Sequence, residues 1–250
     1  MSESTGKPVY LVVGACGGLG TAVADRLHGR GADLALVGRD EVVLDTLAQR
    51  LGAEKFVADA SDFSQVDSAV QATVERFGRL DGAVCTTGSL LLKPAHITTA
   101  LDWQALIAAN LTAAFAVVRS ASKVMAKSGG SIVLVSSVAA KVGMSNHDGL
   151  SAVKAGVEGL VRSAAASYSR QNIRVNCVAP GIMETNLTRK VVTNPTLLNG
   201  VLQLYPLARV GQPTEIARVI DWLLSDESSW VTGQSLSVDG GLSSVRAIAR

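Results

Sequence analysis

The chain has 250 residues, 48% of them hydrophobic and 18% charged, a length and apolar share that suit one α/β domain with a sizeable core. With 23 basic and 21 acidic side chains there is no basic tail for a nucleic acid, and no apolar run approaches the ~20 residues of a membrane span. The polar residues 1–7 read as a flexible start without a signal peptide, and they lead into a strand over 8–13. A glycine-rich turn and a helix from about Leu19 follow. Further strands are predicted over 32–37, 55–58, 80–85, 131–136, 173–178 and 235–238, alternating with helices over 41–51, 63–77, 101–127, 146–170 and 213–224. Short, continuously apolar strands between helices predict a doubly wound, seven-stranded parallel sheet covered on both faces, in a single domain. Cys16, Cys85 and Cys177 are odd in number and widely spaced, which suits a reducing, cytoplasmic setting.

Val13-Gly14-Ala15-Cys16-Gly17-Gly18-Leu19-Gly20 leaves the first strand and opens the first helix. Glycines there let the backbone turn sharply and let a pyrophosphate approach the helix N-terminus, where free amides and the dipole favour anions. The second strand ends Leu36-Val37-Gly38-Arg39. An acidic side chain at that tip would hold a ribose 2′-hydroxyl; Arg39 instead suits a 2′-phosphate, or is a surface residue paired with Asp40 or Glu41. Asp59, at the third strand's end, faces either a nucleotide or, like Asp62, the next helix as a cap. Cys85 reads as a small buried filler rather than a reactive thiol.

Gly130-Ser131-Ile132-Val133-Leu134-Val135-Ser136-Ser137 is a buried strand ending in hydroxyls, and thirteen residues after Ser137 comes Leu150-Ser151-Ala152-Val153-Lys154. Asn110 falls mid-helix, where asparagine is a poor helix former and wants a reason. This set resembles the short-chain dehydrogenase/reductase family, marked by Tyr-x-x-x-Lys with a Ser and an upstream Asn, but Leu150 stands where the tyrosine belongs. Gly14, Gly18 and Gly20 fit the family's Thr-Gly-x-x-x-Gly-x-Gly, with Val13 for Thr. Cys85-Thr86-Thr87-Gly88 stands for Asn-Asn-Ala-Gly, so the amides that brace the central strand are expected to be lost. Asn176 to Thr185 resembles Asn-x-x-x-Pro-Gly, and Trp230–Gln234 with Val238–Gly241 the last strand, so the likeness runs from residue 13 to 241.

The resemblance implies a Rossmann-like fold and an NADP cofactor, NADPH in preference to NADH. Its phosphates and adenosine would lie on Gly14, Cys16, Gly18, Leu19, Gly20, Arg39 and Asp59. Its nicotinamide half would lie on Gly88, Lys154, Pro180, Gly181, the Ile182 backbone and Thr185. Ser137 would hold the substrate oxygen, Lys154 the ribose hydroxyls, and Asn110 a water linked to the lysine.

Leu150, one helical turn before Lys154, cannot donate a proton, and losing a positioned acid costs on the order of 10²–10⁴ in rate. Holding the reactants together is worth more, with effective molarities of about 10⁵–10⁸ M, so slow catalysis survives the loss. His147, about two turns before Lys154, is the substitute: it occupies the tyrosine position of the related Tyr-x₆-Lys enzymes. With Ser145 as N-cap and Asp148 at N3, it falls in the first turn as a neutral donor. Tyr205 is a weaker candidate, in a lid over about 185–210 whose Leu187, Val191, Val192, Leu197, Leu198, Val201 and Leu202 suit an apolar substrate. No metal site is expected near His28 or His96. The reading is an oxidoreductase acting on a small carbonyl, alcohol or enone, against an alternative of a dinucleotide-binding sensor or scaffold without turnover. The apolar surfaces of the 101–127 and 146–170 helices, with the family likeness, imply a homotetramer or homodimer.

Overall fold

Side chains that alternate along each central strand enter two different cores in the computed structural model, which describes residues 6–246. In β1 (Val9–Val13), Val9, Leu11 and Val13 face one core, while Tyr10 and Val12 face the other. β2 (Asp33–Gly38), β3 (Glu54–Val57), β4 (Gly82–Cys85), β5 (Gly130–Val135), β6 (Ile173–Pro180) and β7 (Ser235–Val238) complete a seven-stranded parallel sheet of order β3-β2-β1-β4-β5-β6-β7. The order reverses at β1, the place where open α/β sheets form a crevice beyond the strands' carboxyl ends. The expected fold class stands, with strand limits shifted by one or two residues. The residues 1–5 of the expected flexible start lie outside the described residues.

The helices, in chain order, are α1 (Gly18–Gly29), α2 (Glu41–Leu51), α3 (Phe63–Phe77), α4 (Ala100–Ile107), α5 (Ala113–Met125), α6 (Asp148–Tyr168), α7 (Arg189–Val192), α8 (Pro195–Leu202) and α9 (Pro213–Leu224). α3, α5 and α6 cover one sheet face, and α1, α2 and α9 the other. Asp40 and Asp62 cap α2 and α3 by accepting backbone N–H groups, a contact typically worth about 1 kcal/mol. Buried Asp221 of α9 accepts from Arg26 at 2.8 Å and Arg30 at 3.0 Å, fastening α1 to α9.

Two expectations need correction. α4 and α5 are joined by a π-helical turn, Ala108–Thr112, and the 26-residue run Ala100–Met125 has a mean hydropathy of 1.4. By length and composition that run meets the requirement for a span, contrary to the sequence reading. The core helix of a soluble protein passes the same test, and Ala113, Ala114, Val117 and Met125 here lie in the core beside the sheet. The second correction concerns α6, which starts at Asp148 and not at Asn146. Asn146 is left-handed at φ 63°, a conformation asparagine tolerates, and it closes a turn that the helix cannot include.

Candidate active site

Two adjoining cavities cross the carboxyl ends of the strands. One, of about 510 Å³, runs along the Gly38-Arg39 and Asp59 side; the other, of about 420 Å³, holds Ser137, His147, Leu150, Lys154 and Tyr205. They share Cys16, Gly17, Thr86, Thr87 and Gly88, so together they form a long groove over the end of β1.

The N-terminus of α1 opens into this groove. Its N-cap, Gly17, has no side chain to satisfy the first amides, and the first turn has no acidic residue. Gly14 is at φ 88°, and a Cβ on Gly20 would collide with the Gly14 carbonyl oxygen, so the loop wraps tightly against the helix start. A Cβ on Gly18 would lie 3.2 Å from the Thr185 methyl, which brings the expected Thr185 to the glycine loop. Uncapped amides without a competing carboxylate, at the middle of a long groove, fit the pyrophosphate of a dinucleotide.

The loss of the family's bracing amides is corrected by Thr86. Its hydroxyl lies 3.0 Å from the Val13 oxygen and 3.2 Å from that of Gly14, so it supplies, from just past the end of β4, the loop bond that Val13 cannot make. A hydroxyl at an asparagine position was the available signal. Cys85 is buried with its sulfur 3.1 Å from the Thr87 hydroxyl, and burial pushes its thiol pKa up, as suits a filler. Cys16 reaches the Asp40 carbonyl at 3.5 Å and packs under Gly38, where a Cβ would strike its sulfur.

Arg39 pairs with Asp59 at 3.7 Å rather than with Asp40 or Glu41, and its side chain is 77% exposed. Asp59 caps no helix. Its carboxylate accepts from the Ser61 amide and hydroxyl, both at 2.8 Å, bonds that hold its pKa below the usual range.

At the other end, Ser136 and Ser137 separate in role. Buried Ser136 lies 3.2 Å from the Lys154 carbonyl and 3.1 Å from a Glu158 carboxylate oxygen, tying β5 to α6. Ser137 accepts from the Ala139 amide at 3.2 Å, which leaves its hydroxyl proton available. Lys154 is buried and donates to the Val135 carbonyl at 2.8 Å, and the loss of water lowers its pKa to about 8. Asn110 lies in the π turn. Its amide nitrogen donates to Leu106 O at 2.9 Å and Ser89 Oγ at 3.2 Å, and its oxygen accepts from the Ser89 amide at 3.3 Å. It therefore braces the loop after β4. A Cβ on Gly88 would lie 2.9 Å from Asn110 Oδ1 and 3.5 Å from Lys154 Nζ, so both polar groups flank that glycine.

Leu150 is buried with Leu106, Ala139 and Val153, and it lines the 420 Å³ cavity together with His147. His147 is the N-cap residue of α6 and not in its first turn, and Ser145 caps nothing. Asp148 accepts instead from the Ala95 amide at 2.9 Å. His147 Nδ1 lies 2.8 Å from the Ser145 carbonyl, which can only accept, so Nδ1 carries a proton. A neutral ring then has a bare Nε2. The expected neutral donor is corrected to a neutral acceptor, and only the cationic ring can donate from Nε2.

Tyr205 is buried, and its hydroxyl accepts the Ile182 N–H at 2.7 Å, so the amide expected to face the nicotinamide is already engaged. Of the expected lid residues, Leu187, Val191 and Val201 line the cavity, whereas Leu197 is 51% exposed on the outer side. Pro180 and Gly181 line it too. Among the described residues no group of three His, Cys, Asp or Glu side chains converges.

A family model described as enoyl-(acyl carrier protein) reductase matches residues 14–243. A 3-oxoacyl-acyl-carrier-protein reductase of Synechocystis sp. is 35% identical over 246 residues, spanning 94% of this chain and 96% of that protein. Levodione reductase of Leifsonia aquatica is 36% identical over 250 residues, spanning 94% of each chain. A crystal structure of levodione reductase superposes with a TM-score of 0.90 at 34% identity, covering 96% of this chain and 98% of the other. A short-chain type dehydrogenase/reductase from Mycobacterium ulcerans gives a TM-score of 0.91 at 30% identity, covering 94% and 90%. The chain belongs to the short-chain dehydrogenase/reductase family, and the named relatives are oxidoreductases.

Proposed function

We propose that the protein is an NADP-dependent oxidoreductase acting on a moderately hydrophobic carbonyl, alcohol or enone, with His147 in the place of the family's tyrosine. The observation that carries this reading is the convergence of Ser137, His147 and Lys154 on one cavity at the end of a groove with an uncapped helix start. When bound, the nicotinamide supplies or removes the hydride. Lys154, with two of its three protons left after Val135, holds ribose hydroxyls; Ser137 donates to the substrate oxygen. His147 takes the alcohol's proton on bare Nε2, or returns it to a carbonyl oxygen from the cationic ring. Leu187, Val191 and Val201 exclude water and select apolar substrates.

Arg39 at the adenosine end supports NADPH over NADH. Leu101, Trp103 and Phe115 stay exposed along α4 and α5, which supports a homotetramer or homodimer through that surface.

Two substitutions test the reading with purified protein and a panel of ketones and enones. Arg39→Ala is expected to weaken NADPH binding about fivefold, the scale of an exposed ion pair, with NADH unchanged. His147→Ala is expected to slow turnover about 10²-fold without changing coenzyme affinity. Turnover unchanged by His147→Ala removes the histidine from the mechanism. NADPH bound without any oxidation would favour a sensor or scaffold, the reading that Leu150 supports.

A further inference from the structure

Gly38 is the buried last residue of β2, and its backbone does not demand a glycine, because it is not among the glycines at positive φ. A glycine in a strand otherwise marks the close approach of another group. Here that group is Cys16. A Cβ on Gly38 would collide with the Cys16 sulfur, whereas Cys16 Cβ and Leu44 Cδ1 would each lie 3.6 Å away, in ordinary contact. Among the described residues the sulfur alone therefore stands where a side chain at 38 would begin. A hydrogen bond holds it there, since the thiol donates to the Asp40 carbonyl at 3.5 Å, just past the same strand end. Burial raises the thiol's pKa, so it keeps the proton that it donates. Cys16 and Gly38 line the 510 Å³ cavity beside Arg39 and Asp59.

We propose that Cys16 is a specificity-determining residue for the coenzyme: its sulfur keeps position 38 bare, so that no carboxylate can stand at the tip of β2 and the ribose 2′-position is left to Arg39. The inference rests on the coenzyme reading above. A carboxylate at that tip would accept from the ribose hydroxyls of NADH and repel the 2′-phosphate of NADPH. Asp40, two residues on, does not take that part, because its carboxylate is committed to the cap of α2. One atom of the glycine-rich loop thus decides what the second strand can carry, and preference for the phosphorylated coenzyme depends on Cys16 as well as on Arg39.

Calorimetric titration with NADH and NADPH tests this on wild type, Gly38→Asp and the double variant Cys16→Ala/Gly38→Asp. The double variant is expected to bind NADH at least about tenfold more tightly than either of the others, the scale of a hydrogen bond to a charged acceptor, and NADPH more weakly than wild type. Thermal unfolding of Gly38→Ala, alone and with Cys16→Ala, checks the contact without coenzyme. Alanine at a glycine of ordinary φ normally stabilises a chain. Here it is expected to lower Tm in the presence of the sulfur and to raise it in the Cys16→Ala background. Gly38→Asp alone gaining as much NADH affinity as the double variant means that the sulfur swings aside, and overturns the proposal. So does a double variant that folds but gains nothing for NADH, or a Gly38→Ala effect on Tm that is the same with and without the sulfur. Wild-type protein that binds neither NADPH nor NADH overturns the coenzyme reading itself, and this inference with it.

Discussion

Leu150→Tyr is expected to raise carbonyl reduction by about 10²–10⁴-fold, the usual worth of a positioned general acid. Leu150 stands one turn before Lys154 on the buried face of α6, and its side chain borders the 420 Å³ cavity, so a larger ring has open space ahead of it. Its neighbours Leu106, Ala139 and Val153 would resist some of the added volume, at about 1–3 kcal/mol of stability. A phenol there would have its proton beside an ammonium and the Ser137 hydroxyl. Steady-state kcat/KM over a ketone panel measures the gain. In the Leu150→Tyr background, His147→Ala should no longer slow turnover, because the tyrosine has taken over the proton. No gain on any ketone would mean that substrates enter in a pose turned away from α6.

Lys154→Met is expected to cost at least about 10²-fold in turnover, as misplacement of a reactant does, and yet to make the protein more stable at pH 7. The sign follows from the lysine's pKa, which burial lowers from 10.5 to about 8. Below pH 8 the side chain is charged both folded and unfolded, and the folded state bears the full desolvation cost, roughly 3 kcal/mol at about 1.4 kcal/mol per unit. Between about 8 and 10.5 the unfolded chain binds a proton that the folded chain lacks, so wild-type stability rises with pH through that window. Methionine removes the cost and gives up one hydrogen bond to Val135, worth about 1 kcal/mol. Thermal unfolding should therefore show a higher Tm for the variant at pH 7 and a gap that closes towards pH 10.5. A variant less stable at pH 7 would mean that the ammonium is better solvated than its surroundings indicate.

The fold was legible because its signals are local. Leu11, Val12 and Val13 are apolar on both sides of the chain, and only a strand covered on both faces buries them all. The glycine loop and Lys154 were legible through spacing within one turn or one helix. What escaped depended on contacts between distant segments or on backbone conformation. Tyr205 meets Ile182 across 23 residues, and Thr86 meets Val13 across 73, so neither partner could be read from its neighbours. Asn146 shortened α6 by adopting a left-handed conformation that nothing in its side chain requires, and with that the cap moved from Ser145 to His147. The histidine's tautomer followed from that turn, since Ser145 turned its carbonyl towards Nδ1.

The wide turn at Ala108–Thr112 carries one residue more than a regular α-helical turn would hold. Each residue added to or taken from a helix rotates everything beyond it by about 100°. The surplus residue is thus what lets Leu106 meet the Leu150 cluster while Ala113 and Val117 meet the sheet. This stretch has to keep its residue count across 108–112 as well as the Asn110 side chain. A chain one residue shorter there would form a smoother helix that points either its first half or its second the wrong way.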